Sequence, residues 1–284
     1  MTNNEENKRQ GDLKVFQPSE LVLNKEIGIE SVEDDDEVDD VVETTSKRGI
    51  MEKTNKIKSS SIQISLPTHF VLFNDAWQLF HQIELWRNRS YTENYQQKQW
   101  NMDPEKSLHN PNLYAIWNSK HYAMKITVDT NPFNSSFFIY TDIGAWRKKH
   151  LTNWPDTKFV GKLGQKLRDK ILYGQINKLV SKEINLKKDT IQGGFIAGSK
   201  SAVQYAANAY YGAHDDLYDK GLFIGKEQTI MNYVTYVKKF EFISKLRTWS
   251  IDCSTSYDNW FFYQYFFAHQ NQYPCANDKF SLIF

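Results

Sequence analysis

Cysteine is nearly missing from this chain: Cys253 and Cys275 are the only two among 284 residues. They stand without a CxxC or Cys/His ligand spacing, which excludes a disulfide scaffold and a structural zinc and suits a reducing compartment. Long apolar runs are missing too. No stretch approaches the ~18 apolar residues of a membrane span, and the polar start MTNNEENKRQ lacks the apolar centre of a signal peptide. The expectation is therefore a cytoplasmic chain with no integral membrane span. An excess of one charge is also lacking, with 35 Lys and Arg against 34 Asp and Glu.

Several chemical signatures are absent. Gly221-Leu-Phe-Ile-Gly225-Lys226 resembles a phosphate loop but is one residue short and continues with Glu227, so a Walker site is not expected. Gly193, Gly194 and Gly198 do not make the dinucleotide spacing. There is no G-x-S-x-G elbow and no H-E-x-x-H, and none of the 7 histidines has another at i+4. Lys and Arg are spread along the chain with no stacking motif of the RRM type, which argues against a nucleic-acid partner.

Aromatics are abundant. Trp, Tyr and Phe make up 15% of the residues, enough to require a large core or a site that stacks on rings. Charge is unevenly placed: residues 1–60 hold 15 acidic and 9 basic side chains, leaving 26 basic against 19 acidic for the rest. Ser31–Glu43, SVEDDDEVDDVVE, concentrates charge with little apolar surface, and Thr44–Ser61 is rich in Thr, Ser and Lys. Ordering such segments costs more entropy than it recovers, so residues 1–61 are expected to be a disordered tail and 62–284 the folded domain.

The folded part alternates short apolar runs with amphipathic stretches, the pattern of an α/β domain. His69–Phe73 is a strand candidate followed by a helix over Trp77–Arg89. Asn110 and Pro111 open a helix to about Val128. Phe137–Thr141 is apolar on nearly every residue, as a central strand covered on both faces would be, and ends at Asp142. Leu163, Leu167, Ile171, Leu172, Ile176, Leu179, Val180 and Ile184 recur at helical spacing. Ile191–Ala197 reads as a strand, with Ser199 capping a helix that Gly212 terminates. Leu222–Ile224 is a short strand, Glu227–Lys238 a helix, and Thr248–Ile251 a last strand.

Asp142 is the leading site candidate, because ligand crevices of open α/β sheets lie at the carboxyl ends of their strands. A carboxylate there can coordinate a hard divalent ion that neutralises a diphosphate leaving group. It can equally cap the following turn or pair with Arg147.

Asn110-Pro-Asn-Leu-Tyr-Ala-Ile-Trp-Asn-Ser-Lys120, Asn131-Pro-Phe-Asn-Ser135, Phe138-Ile-Tyr-Thr-Asp142-Ile-Gly144-Ala-Trp-Arg147, Ile191-Gln-Gly-Gly-Phe195 and Gly225-Lys-Glu-Gln228 occur in that order. The series resembles the HtrL/YibB family over about residues 68–270. That family is similar to GT-A glycosyltransferases, and its better-known bacterial members are linked to lipopolysaccharide or lipooligosaccharide biosynthesis. The resemblance implies a GT-A-like three-layer α/β/α domain that moves a sugar from a nucleotide-sugar donor to a glycan acceptor; the alternative is a catalytically silent binding or assembly relative. It also implies Mn or Mg at Asp142, which would occupy the metal-binding D-x-D position, although Gly144 replaces the second carboxylate and a neighbour such as Asp129 would have to complete the shell. Lys120 would offset diphosphate charge and Asn131 would open the loop into the Asp142 strand. Gly193 and Gly194 would let backbone approach the acceptor, and Gln228 would sit beside it. Glu227 would take the acceptor's hydroxyl proton, although Glu in a first helical turn is also favoured by the helix dipole alone. The opening strand and loop of a GT-A domain have no convincing counterpart, the acidic segment standing in their place.

Overall fold

The computed structural model describes residues 55–59, 62–66, 71, 73–91, 94–146, 151, 154–179, 184–248, 260–268 and 282–283. Two compact units fall at Met1–Leu72 and Phe73–Phe284. In the first, β1 (Asn55–Ser59) and β2 (Ile62–Leu66) pair antiparallel. β1 lies inside the stretch expected to be disordered, and the expected boundary at residue 61 falls between the two strands. The reason is legible: Ile57 between two lysines, then Ile62, Ile64 and Leu66 alternating with Gln63 and Ser65, is a period-two pattern on either side of two serines. Of the strand expected at His69–Phe73, only Val71 and Phe73 are described, and neither lies in a strand.

The second unit runs α1 (Ala76–Arg87), α2 (Tyr95–Met102), α3 (Asn112–Thr130), β3 (Phe137–Thr141), α4 (Thr157–Leu167), β4 (Ile171–Gln175), β5 (Ile191–Ser199), α5 (Lys200–Asp219), α6 (Glu227–Asn232), β6 (Ile243–Arg247), α7 (Tyr263–Phe267) and β7 (Leu282–Ile283). Side chains fix the helix starts. Asp75 accepts from Gln78 N at 2.9 Å ahead of α1, Asn110 from Asn112 N at 2.9 Å ahead of α3, and Ser199 from Ala202 N at 3.3 Å ahead of α5. α3 ends where Asn131 turns left-handed at φ 36°.

The strands form a mixed sheet in the order β3-β5-β4-β6-β7. β5 is antiparallel to both β3 and β4, while β4 and β6 are parallel, so β3, β4 and β6 all point the same way. Helices cover both faces. Ile171, Tyr173, Ile196 and Ile243 pack with residues of α3 and α5, whereas Leu172, Phe195, Ala197 and Leu246 pack with residues of α4 and α7.

Four expectations are corrected. β3 is an edge strand among the described residues, not a central one, and only Phe138 of its five residues is buried. The helix expected to continue past Leu167 stops there. Ile171–Gln175 is instead a strand buried at every position between β5 and β6, because a short run apolar at consecutive residues satisfies both periods and its burial on two faces decides for the strand. Gly212 lies inside α5, and the chain breaks at Gly221, whose φ is +69°. Leu222–Ile224 has no strand pairing among the described residues. Ile243–Arg247 is a strand, and of the expected Thr248–Ile251, residues 249–251 lie outside the described residues.

Candidate active site

The site forms at the carboxyl ends of β3, β4 and β6, where antiparallel β5 begins. Between Tyr173 and Gly174 of β4 the register against β5 slips: Tyr173 faces Ile196 but Gly174 faces Gln192, so Gly193, Gly194 and Phe195 bulge out of the ladder. The two glycines make this bulge a seat for other side chains. A Cβ on Gly193 would stand 1.9 Å from Glu227 Oε1, and one on Gly194 would stand 3.3 Å from Asp142 Oδ2. Asp142 is held beside them by its backbone N–H, which donates to Gly194 O at 3.0 Å.

Lys120 rises from the buried side of α3 into this seat. Its ammonium donates to Glu227 Oε1 at 2.8 Å, to Asp142 Oδ2 at 2.9 Å and to Gly193 O at 3.1 Å. The side chains of Lys120 and Glu227 are 4% and 2% exposed, whereas that of Asp142 is 35% exposed and forms the open side of the cluster. Burial alone would lower the Lys120 pKa, but the carboxylates of Glu227 and Asp142 outweigh it and hold the amine above its ordinary value. One ammonium therefore faces two carboxylates. Tyr140, two residues before Asp142 and so on the same face of β3, donates to Asp142 Oδ1 at 2.6 Å. Burial and then Asp142 push the Tyr140 hydroxyl well above the usual phenol range.

Lys120, Asp142, Gly193, Gly194 and Glu227 are thus brought together. Gln228, next to Glu227 at the start of α6, is buried with its Oε1 unpaired. Glu227 Oε2 is likewise buried without a partner. Such orphaned acceptors are costly, and a water or a donor from outside the chain would satisfy them. Asn131 does not join them. It lies at the other end of β3, accepting from Ser135 N at 2.7 Å and donating to Ser135 O at 3.0 Å, so it shapes the loop into β3 without touching the cluster.

Sequence reasoning missed the residues that hold the cluster in place. Asn118, fully buried two residues before Lys120 on α3, donates to Ile224 O and Gly225 O, each at 3.0 Å, and so fixes the approach to α6. Tyr263 stacks on Phe195 and donates to Gly194 O at 3.2 Å. His121 is fully enclosed, stacked on Tyr210 with its Nε2 2.8 Å from Tyr173 Oη. Burial, assisted by the Lys120 ammonium, lowers its pKa to about 3. The period of two from Asp142 back to Tyr140 was the one signal available in the sequence; Asn118, Tyr263 and His121 become visible only through tertiary packing.

The donor set at Asp142 suits an ammonium better than Mn or Mg. The three oxygens that face Nζ are already within hydrogen-bond length of it, and Gly144 supplies no side chain where a second carboxylate would stand. Asp129 is elsewhere, in the last turn of α3, bonded to Lys125 Nζ at 2.5 Å and to Gln204 Nε2 at 3.1 Å. A different group, Asp103, Glu105 and His109, brings its ligand atoms within 4.8 Å of one another and could hold a metal ion. Its members are mutually engaged: Asp103 accepts from Tyr114 Oη at 2.7 Å and meets His109 Nδ1 at 2.7 Å, while Glu105 pairs with Lys226 at 2.6 Å. Among the described residues no helix is long and apolar enough to cross a membrane.

Residues 7–236 match the model of the HtrL_YibB family, described as bacterial proteins of unknown function, and the chain belongs to that family. The match takes in most of the acidic segment as well as the site through Gln228. No curated protein and no solved structure matches the chain.

Proposed function

We propose that the chain is a glycosyltransferase-like protein with a GT-A-like domain, moving a sugar from a nucleotide-sugar donor to a hydroxyl of a glycan acceptor. The observation that carries this reading is the buried, unpartnered Oε2 of Glu227, placed beside Asp142 and a Gly-Gly bulge at the carboxyl edge of a mixed sheet. Ligand crevices of open α/β sheets lie at that edge. In the reaction Glu227 accepts the proton of the acceptor hydroxyl as that oxygen bonds to the anomeric carbon, and the bond from the anomeric carbon to the donor diphosphate breaks. Lys120 fixes the Glu227 carboxylate through Oε1 and leaves Oε2 for the hydroxyl. The resemblance also implies Mn or Mg at Asp142, but no step is assigned to it, because Lys120 faces the oxygens it would use.

A second reading, a silent relative that binds or assembles without turnover, is favoured by one observation: both carboxylates are engaged by Lys120. A thermal-shift screen of nucleotide sugars, followed by turnover assays with glycan acceptors, separates the two. A binding donor raises the melting temperature by mass action. A donor-dependent rise with transfer supports the enzyme; a flat response across the nucleotide sugars removes it.

A further inference from the structure

The oxygens around Lys120 come from three separate elements: Asp142 at the end of β3, Gly193 in the β5 bulge and Glu227 at the start of α6, with the lysine on a fourth, α3. An ammonium has three protons to donate and here each has an acceptor. The separations, 2.8 to 3.1 Å, are those of N–H···O bonds, whereas Mg²⁺ demands about 2.0–2.1 Å in near-octahedral order. Tyr140 adds its ring face, 5.8 Å from Nζ at the centroid, and its hydroxyl takes the other oxygen of Asp142.

We infer that the Lys120 ammonium is the resident cation of this site and occupies the place a divalent ion would take between Asp142 and Glu227. The space around it is built for that side chain. Glu227 reaches Lys120 only because residue 193 has no Cβ, and Asn118 anchors the chain leading to Glu227 from the same helix that carries Lys120. A divalent ion would have to displace a buried, fully bonded charge of its own sign. Repulsion between cations a few ångströms apart in a buried site is large, and the expelled amine would lose three acceptors at once. The inference concerns the ion alone and stands or falls separately from sugar transfer. If transfer is found, it is expected to be indifferent to a chelator.

Titration of the full chain with Mn²⁺, followed by the loss of the free-ion paramagnetic resonance signal, tests it. The unaltered protein and Asp142→Asn should give the same isotherm, because no ion sits on Asp142 in either. Lys120→Met together with Glu227→Gln removes the amine while keeping the net charge of the cluster at −1, and a Gln oxygen still ligates. This double variant should gain a saturable Mn²⁺ site at least about tenfold tighter than any in the parent, and lose it again when Asp142→Asn is added. Binding that persists in Asp142→Asn but vanishes in His109→Ala belongs to the Asp103 group and leaves the inference standing. Saturable Mn²⁺ binding by the unaltered protein that Asp142→Asn abolishes overturns it. So does a folded lysine-free variant that gains no site, since Nζ would then not be what excludes the ion.

Discussion

Gly193→Ala is the sharpest single perturbation of this site, because the added methyl meets an entire side chain. Its Cβ would lie 1.9 Å from Glu227 Oε1, 2.5 Å from Cδ and 2.7 Å from Cγ, so rotating the carboxylate alone cannot relieve the clash. Glu227 is 1% exposed and begins α6, whose Ile230 and Met231 are fully buried, so the helix cannot slide outward freely. The relief available is to push the Glu227 side chain away from Lys120 and break the 2.8 Å pair. Breaking a buried ion pair from one side costs about 3–5 kcal/mol, to which overpacking strain adds. For a domain of this size each kcal/mol lowers the melting temperature by roughly 2–4 °C, so a fall on the order of 10 °C is expected in a calorimetric scan. Glu227→Ala removes the obstacle, and in that background Gly193→Ala should cost less than about 1 kcal/mol, giving a coupling of a few kcal/mol in the double-mutant cycle. Additive effects, or a Gly193→Ala protein that melts within about 1 °C of the parent, would refute the idea that the bulge glycine exists to seat Glu227.

The remaining predictions use other readouts. Gly212→Ala, inside α5 with nothing within 4 Å of the new Cβ, should raise stability by about 0.5–1 kcal/mol in a denaturant titration; a loss would show that α5 is not continuous there. Glu227→Gln should lower turnover by roughly 100-fold or more with little change in donor affinity, and an unaffected rate would remove Glu227 as the base. Asp142→Asn, at the open side of the cluster, should cost about 1 kcal/mol or less in a thermal melt. His121 has its pKa lowered by burial from 6.5 to about 3, so the neutral ring stabilises the fold above pH 6.5 and that contribution disappears as pH falls towards 3. His121→Phe, which keeps a ring against Tyr210, should therefore flatten the stability loss across that window, by an amount on the order of 5 kcal/mol; an unchanged acid slope would place the sensitivity in other groups.

The starts of α1, α3 and α5 were legible because they are local chemistry. Asp75, Asn110 and Ser199 each satisfy an orphan N–H two or three residues on, and that depends on no distant contact. The ends of α4 and α5 and the sheet order were not. Gly212 is a good terminator in isolation, but α5 is packed along its length by Val203, Tyr210 and Leu217, and that burial outweighs one glycine. The strand Ile171–Gln175 was concealed because Leu163, Leu167 and Ile171 keep helical spacing across the break at Arg168–Lys170. What turns the following residues into a strand is the presence of β5 on one side and β6 on the other. The same long-range pairing puts β3 at the edge despite its apolar run.

The site shows why ordered blocks can be read while their chemistry cannot. Lys120, Asp142, Gly193 and Glu227 are separated by up to 107 positions, and the periodicity of no single element connects them. They meet because β3 and β4 point the same way, β5 runs back between them, and α6 starts at the edge where β5 does. Once that topology holds, electrostatics decides the rest. Two carboxylates brought to one buried edge repel each other unless a cation stands between them, and the packed face of α3 delivers one covalently. A lysine read as an aid to diphosphate binding becomes the group that makes the pair of acids compatible with folding. The glycine read as an approach for the acceptor is first the gap through which Glu227 reaches that lysine. What is left for a ligand is the portion of the cluster that the protein does not use itself: the second oxygen of Glu227, the amide oxygen of Gln228 and the exposed side of Asp142. All three are acceptors, so any ligand that docked there would have to bring donors.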